Sequence, residues 1–251
     1  MSFLLAMQFL TSIPVPTRRA PRPGETGGST IYFPLVGLII GLLLAGVNWL
    51  VSLVLPAGID NVLVLAVLVL LTGAIHLDGF MDTFDGTAGH HPKEERWRIM
   101  RDSRVGAFGV IAVLLLLLTK YIALDSLPIY AITPVLLFMP VASRWAMVYA
   151  IFAFPYARES GLGFEFKERT RWGQFVVATL TTLLVAIALI PLFGLKGLAV
   201  IFLAWIATML FSLYFKGKFG GLTGDNYGAV NEIAEVMVLL FVIALDRFAI
   251  L

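Results

Sequence analysis

The sequence predicts an all-α fold, a polytopic integral membrane bundle of about seven transmembrane helices with a cytoplasmic N-terminus. Composition is the first observation: apolar residues make up 59% of the 251 residues and charged residues 14%, against about 45–50% and about 25% in soluble domains. Mean hydropathy is +0.93. The apolar residues also form long uncharged runs, and about 20 such residues in a helix cross a bilayer. The chain has no cysteine, which excludes disulfides and thiolate chemistry.

The uncharged runs define the individual elements. Residues 1–30 are expected to form an interfacial segment, because Met1–Pro16 is apolar but lacks the basic start of a signal peptide. Seven spans are predicted at about residues 33–55, 61–80, 106–124, 129–152, 174–192, 197–215 and 229–246. Residues 1–251 are therefore expected to form one membrane-embedded domain.

The basic residues set the predicted topology. Arg18, Arg19 and Arg22 precede the first span, and most other Lys and Arg residues lie in segments 93–104, 158–171 and 216–218. The loops between these segments hold little basic charge. The positive-inside rule places the basic loops in the cytoplasm, which agrees with an odd number of spans.

The most informative stretch is the polar segment 76–109, which begins with three aspartates. Asp78, Asp82 and Asp85 are spaced i, i+4 and i+7, so they share one face of a helix that is predicted to continue directly from the second span. Such a cluster of carboxylates favours a hard cation, Mg²⁺ first and Mn²⁺ second. Gly79 and Gly86 would let a substrate phosphate approach the backbone. The alternative is a solvated loop whose acids pair with nearby arginines.

The second half of this segment is rich in arginine. Asp102 could add a fourth carboxylate to the metal site. Arg98, Arg101 and Arg104 are candidate phosphate ligands, because guanidinium groups bind phosphate oxygens in pairs. The alternative is that these arginines only anchor the topology. Residues 93–96 are predicted to form an ordinary solvated turn.

A second polar motif covers residues 219–235. Its glycines could let a loop wrap around a ligand. Asn231 and Glu235 are spaced i, i+4 where a span begins, and acids inside a span are functional candidates. The alternative is that Asp225-Asn226 caps the last helix.

These features favour phosphoryl transfer. Carboxylates for a metal, arginines for phosphate and the lack of an obvious nucleophile fit a site that positions its substrates and neutralises charge. An aspartate could accept the proton of an attacking hydroxyl. A divalent-cation transporter is the alternative, although it would carry carboxylates on several spans near the bilayer midplane.

Two families carry related motifs. Asp82, Asp85, Gly86 and Ala88 resemble the start of the motif of CDP-alcohol phosphotransferases, which synthesise phospholipids, but Gly89 stands where that motif has arginine. The sequence resembles the cobalamin synthase family over almost its whole length. That resemblance rests on residues 9–16, 33–37, 76–86, 100–109, 221–225 and 231–232.

The resemblance to cobalamin synthases implies a specific reaction. A hydroxyl of α-ribazole or its 5′-phosphate attacks the cobinamide phosphorus of adenosylcobinamide-GDP, and GMP leaves. The implied Mg²⁺ ligands are Asp78, Asp82, Asp85 and Asp102, and the implied catalytic residues are Asp82, Asp85 and Asp102, with Asp85 expected as the base. Arg98, Arg101 and Arg104 would bind phosphate, while Asp225, Asn231 and Glu235 would add metal or substrate contacts.

The implied location is the cytoplasmic (inner) membrane, with the active site on the cytoplasmic face. The expected partners are adenosylcobinamide-GDP, α-ribazole and the lipid bilayer. No nucleic-acid partner is expected, and the oligomeric state stays open, with a homo-oligomer as one option.

Overall fold

The structure, a computed structural model, describes residues 2–16, 24–56 and 58–248. These residues form α-helices and a short 3₁₀ helix, Gly27–Tyr32. The helices are α1 (Ser2–Leu10), α2 (Phe33–Ser52), α3 (Ile59–Thr72), α4 (Ile75–Thr87), α5 (Lys93–Ile99), α6 (Ala107–Asp125), α7 (Ile129–Ala153), α8 (Leu162–Arg169), α9 (Trp172–Ala188), α10 (Ile190–Phe193), α11 (Lys196–Phe219) and α12 (Gly224–Arg247).

Helices α7 and α12 form the centre of the bundle. Helix α2 packs along α7, and α12 packs against α4, α7 and α11. Outer helices bury one side and expose apolar residues on the other, as Leu114 and Leu184 do. In a membrane protein such faces contact lipid, so this surface agrees with the predicted bundle.

The predicted spans are largely confirmed. Five helices are long and apolar enough to cross a membrane, and the number rises to seven if α3 with α4 and α8 with α9 each count as one bent span. The bends are 89° and 91°. The predicted second span therefore exists as two helices rather than one.

The break between α3 and α4 corrects the prediction that the second span runs straight into the aspartates. Gly73 and Ala74 both adopt left-handed backbone conformations, with φ of +59° and +57°, and this ends one helix before the next begins. Ser12 supports the break because its hydroxyl donates to the carbonyl of Leu70, at 2.6 Å. The acidic residues consequently lie on a helix of their own.

The N-terminal segment forms the short helix α1, which packs against the 3₁₀ helix and α2. Its Leu5, Ala6 and Leu10 are buried, so α1 is part of the bundle core. Arg18, Arg19 and Arg22 lie outside the described residues. The cytoplasmic position of the N-terminus stays a prediction.

Candidate active site

Helix α4 carries the predicted acidic residues, and its bounds fit the i, i+4, i+7 spacing of Asp78, Asp82 and Asp85. A fourth carboxylate comes from Asp225 in the first turn of α12. The carboxylates of Asp78, Asp85 and Asp225 all lie within electrostatic range of Asp82. The fold therefore brings the first polar motif and the start of the second one together.

The glycines of α4 serve helix packing. A Cβ atom on Gly79 would lie 2.9 Å from the carbonyl oxygen of Asp225, and one on Gly86 would lie 2.7 Å from the Met100 side chain. Both distances are shorter than real contacts of this kind. The structure therefore gives these glycines a different task from the predicted phosphate contact. They let α4 pass close to α12 and to Met100.

Side chains at the start of α12 fix this crossing. Thr223 is the N-cap: its hydroxyl accepts from the backbone N–H of Asn226 at 3.2 Å, while the Asn226 amide oxygen accepts from the Thr223 N–H at 2.9 Å. The Asn226 amide nitrogen also donates to the hydroxyl of Thr83 on α4, at 3.0 Å. The cap thus involves Asn226, as the alternative interpretation expected, while the carboxylate of Asp225 accepts a hydrogen bond from the Thr223 hydroxyl at 3.3 Å.

Asp85 has a structural task. Its two carboxylate oxygens accept hydrogen bonds from the backbone N–H groups of Gly106 and Gly109, at 2.9 and 2.7 Å. These N–H groups belong to the start of α6, where the helix dipole favours a negative charge. Both oxygens of Asp85 are thus engaged by backbone donors, and its predicted role as the base stays a prediction.

Arg158 is a site residue that the sequence prediction treated only as topology charge. Its Nη2 atom lies 3.6 Å from a carboxylate oxygen of Asp225, which is longer than a hydrogen bond, and the side chain is 18% exposed. Its Nε and Nη2 atoms are buried without a hydrogen-bond partner among the residues that the structure describes. A mostly buried arginine with free donors beside acidic residues is suited to bind an anion such as phosphate.

A short backbone bridge positions Arg158. The N–H of Ala157 donates to the carbonyl of Leu222, and the N–H of Leu222 donates to the carbonyl of Pro155, both at 2.8 Å. Gly221 permits this approach, since a Cβ atom there would lie 2.8 Å from the nitrogen of Ala157. The spacing between residues 158 and 225 in the sequence gave no sign of this contact.

The predicted arginine cluster divides into different environments. Arg104 pairs with Asp102 at 2.7 Å, and the hydrogen bonds from Arg104 lower the pKa of the exposed Asp102 to about 2. Asp102 and Arg104 line a groove of about 330 Å³ together with Asp82 and Asp85. Arg98 pairs with Glu95 at 3.1 Å and its side chain is 81% exposed. The structure therefore places Asp102 and its partner Arg104 beside the site and gives Arg98 a surface ion pair.

The remaining arginines of this segment also differ. Arg101 is exposed and lies within electrostatic range of Tyr156 and Asp225. Arg96 is buried and donates to the carbonyls of Gly86, Gly89 and His91, at 2.7, 3.0 and 2.9 Å. The predicted solvated turn at 93–96 is wrong, because these residues begin α5 and Arg96 closes the end of α4.

Asn231 and Glu235 do not join the acidic site. One oxygen of Glu235 contacts Arg144 and accepts from the Asn231 amide at 3.2 Å, while the other lies 2.6 Å from Lys120 Nζ. Lys120 also binds Glu232, at 2.5 Å. Glu235 is therefore an ion-pair residue in the bundle interior and not a metal ligand, and Asn231 supports it.

The donor chemistry of the site suits Mg²⁺, since its ligand atoms are carboxylate oxygens from two helices. Within residues 2–16, 24–56 and 58–248, however, no group of three His, Asp or Glu side chains is arranged to hold a metal ion. Asp78, Asp82 and Asp225 are the acids at the crossing whose oxygens are not committed to backbone N–H groups in that part of the chain. Mg²⁺ stays a prediction about these residues.

Fold and site together define a class: a multi-pass helical membrane protein with a carboxylate-rich site where helices α4 and α12 cross. Comparison with known proteins gives the family. The sequence model of the family described as cobalamin-5-phosphate synthase matches residues 2–243. The chain belongs to this family, whose members are transferases of cobalamin biosynthesis.

Full-length relatives agree with this assignment. A protein of Geotalea daltonii is 38% identical over 97% of both chains, and one of Roseiflexus sp. (strain RS-1) is 41% identical over 93% of this chain and 86% of its own. A protein of Desulforamulus reducens is 40% identical over 96% of both chains. All three are named adenosylcobinamide-GDP ribazoletransferase. No solved structure matches the chain.

Proposed function

We propose that this chain transfers the phosphocobinamide group of adenosylcobinamide-GDP to α-ribazole or α-ribazole 5′-phosphate and releases GMP. The product would be adenosylcobalamin or its 5′-phosphate. The observation that carries the proposal is the similarity over nearly the whole chain to proteins named for this reaction. The site adds support, because it pairs surplus carboxylates with a buried arginine that has free donors.

In the proposed reaction one phosphorus–oxygen bond forms and one breaks. The oxygen of the ribazole hydroxyl attacks the phosphorus bonded to cobinamide, and the bond from this phosphorus to the oxygen of GMP breaks. The hydroxyl proton passes to a carboxylate, for which we assign Asp82. Asp82 suits this role better than Asp85, because both carboxylate oxygens of Asp85 accept hydrogen bonds from backbone N–H groups.

Positioning would account for much of the remaining catalysis. Asp78, Asp82 and Asp225 would hold Mg²⁺, which when bound neutralises charge on the pyrophosphate. Arg158 would donate from its buried guanidinium nitrogens to phosphate oxygens. Arg101 would attract the anionic substrate from the exposed edge of the site.

We further propose that the protein lies in the cytoplasmic membrane with its site on the cytoplasmic face. The basic segments 93–104 and 158–171 support this orientation under the positive-inside rule. These segments flank the acidic site through Arg101 and Arg158. Substrates made in the cytoplasm would then reach the site without crossing the bilayer.

The proposal is tested by incubating detergent-purified protein with adenosylcobinamide-GDP, α-ribazole and Mg²⁺, and by measuring GMP and the corrinoid product. We expect GMP and a cobalamin product in equal amounts, and loss of both with EDTA that added Mg²⁺ or Mn²⁺ reverses. Activity that persists in EDTA would refute the metal assignment alone.

The absence of GMP from a preparation shown to be folded would refute the proposed reaction. The same sample would then be supplied with CDP-activated lipid precursors and an alcohol. Release of CMP in that assay would indicate the CDP-alcohol phosphotransferase reaction instead.

A further inference from the structure

A cavity of about 190 Å³ lies beside the acidic site, between α1, α4, α7, α8 and α12. Asp78 and Asp225 form part of its lining. The cavity is therefore adjacent to the carboxylates to which the proposed function assigns the chemistry. It is smaller than the roughly 300–1,000 Å³ of pockets for drug-sized ligands, so it suits one ring system and not a corrinoid or a whole nucleotide.

The greater part of this lining is apolar and aromatic. Phe9 and Phe166 meet at one side with ring centroids 4.7 Å apart, and Met147 and Ile151 of α7 form another side. Phe166, Met147 and Ile151 are buried. Such walls bind a flat aromatic ring by stacking and by burial of apolar area.

Two polar side chains in the lining lack a partner. His76 is 2% exposed and Tyr227 is 3% exposed. Within the described part of the chain, the two ring nitrogens of His76 and the hydroxyl of Tyr227 have no hydrogen-bond partner. Buried polar atoms are nearly always paired, so these atoms point to a ligand that brings a hydrogen-bonding atom beside them. The ring of His76 also lies within electrostatic range of Arg144, Glu235 and Lys120 in the bundle interior.

The two nucleosides of the proposed reaction differ in what they require. Guanine carries several donors and acceptors around its edge, and each would need a partner in a pocket that has few polar atoms. The benzimidazole base of α-ribazole presents one free ring nitrogen and an apolar, methyl-bearing edge. The cavity matches the second base in both polarity and size.

We infer that this cavity, here called the base pocket (Phe9, His76, Met147, Ile151, Phe166 and Tyr227), binds the aromatic base of the acceptor nucleoside. His76 or Tyr227 would donate to the free ring nitrogen, and the ribose would then face Asp78 and Asp225. The inference rests on the proposed function, because that function supplies the acceptor. It adds a subsite and a specificity determinant to it.

The test compares Ile151→Ala, which enlarges the base pocket, with Ile40→Ala, which removes the same atoms from a buried position on α2. For Ile151→Ala we expect KM for α-ribazole to rise about tenfold, in the range for lost apolar contacts in a pocket. KM for adenosylcobinamide-GDP should change less than about twofold. Ile40→Ala should change neither constant. A rise only in the donor KM, or no change in the acceptor KM, would overturn the inference.

A second set of variants separates a loss of acceptor binding from a loss of folding. Tyr227→Phe removes a hydroxyl that has no partner in the described chain, so the protein should unfold at the wild-type temperature. Tyr149→Phe, which removes a tyrosine hydroxyl outside the base pocket, is the control for the loss of a hydroxyl group. We expect Tyr227→Phe combined with His76→Asn to weaken acceptor binding about tenfold or more, by calorimetry with α-ribazole alone and no donor. Wild-type affinity in the combined variant would overturn the inference.

The two proposals fail in different ways. If α-ribazole binds the wild type without donor, binds Ile151→Ala more weakly, and no GMP is released, the proposed function is refuted and the base pocket is retained. If GMP is released while α-ribazole binding is insensitive to Ile151→Ala, the base pocket is refuted and the function is retained.

Discussion

Helix α12 contributes carboxylates to two regions of opposite character. In the buried ion cluster, Glu232 and Glu235 meet Lys120 and Arg144, so two negative groups face two positive ones in the bundle interior. At the acidic site, Asp225 joins the carboxylates of α4, and among the described residues its ion-pair partner is Arg158. One region is balanced in charge and the other carries an excess of negative charge.

The difference separates a structural from a functional use of the same residue type. A buried charge is tolerable only when it is paired, and the ion cluster meets that condition within the protein. The acidic site does not, since its carboxylates repel one another. A bound cation would balance this charge, which is the physical argument for the proposed Mg²⁺ at Asp78, Asp82 and Asp225.

The largest effect is expected on stability, when one cation is removed from the buried ion cluster. Lys120→Met leaves Glu232 and Glu235 with one cation, and we expect it to lower the free energy of unfolding by about 3–5 kcal/mol. Adding Glu232→Gln restores the balance and should recover a substantial part of this loss. Thermal unfolding in detergent measures both variants. A double variant as unstable as the sum of its single changes would contradict the pairing.

The second effect concerns activity at the unbalanced region. Asp82→Asn should lower the rate of GMP release by about 10²–10³-fold. Its free energy of unfolding should stay the same or rise, because one of several repelling charges is removed. Glu94→Gln, an exposed change outside the site, is the matched control for charge. Near-normal activity of Asp82→Asn would remove Asp82 from the reaction.

The third prediction concerns Arg158, the arginine beside Asp225 in the acidic site. Arg158→Lys keeps the charge near Asp225 but loses the paired donors of the guanidinium group. We expect the rate to fall about 10- to 100-fold, measured as GMP release at limiting adenosylcobinamide-GDP. Arg98→Lys, at an exposed ion pair, should change the rate less than about twofold. Equal effects of the two changes would show that Arg158 acts only through its charge.

The smallest effect is expected at Arg104. Its side chain is 88% exposed and pairs with Asp102, so Arg104→Lys should change the rate less than about threefold. Steady-state GMP release is the measurement. A loss of tenfold or more would show that Arg104 binds the substrate, as the sequence predicted.

How far the sequence predicted the site depends on sequence distance. The spacing of Asp78, Asp82 and Asp85 predicted their helix, because residues three and four apart share a face. Arg158 and Asp225 belong to separate segments, and a bridge between Tyr156 and Leu222 joins them. No local pattern encodes such a pairing, so the prediction assigned Arg158 to topology alone.

The same limit applies to residues whose partners are distant. Glu235 was predicted as a metal ligand because it is an acid in an apolar span. Its partners Lys120 and Arg144 also lie inside predicted spans, and only the packing of α6, α7 and α12 brings them together. An unpaired cation in another span is the signal that could have suggested an ion cluster.

The sequence by itself determined the all-α membrane fold, the family and the acidic motif, because these depend on composition, hydrophobic runs and residues adjacent on one helix. The tertiary structure decided where the second span breaks, which carboxylates meet, that Arg158 faces Asp225, and that an apolar cavity lies beside them. These features depend on contacts between helices far apart in the chain. Such contacts are set by packing and charge compensation in the whole bundle, and not by any single segment.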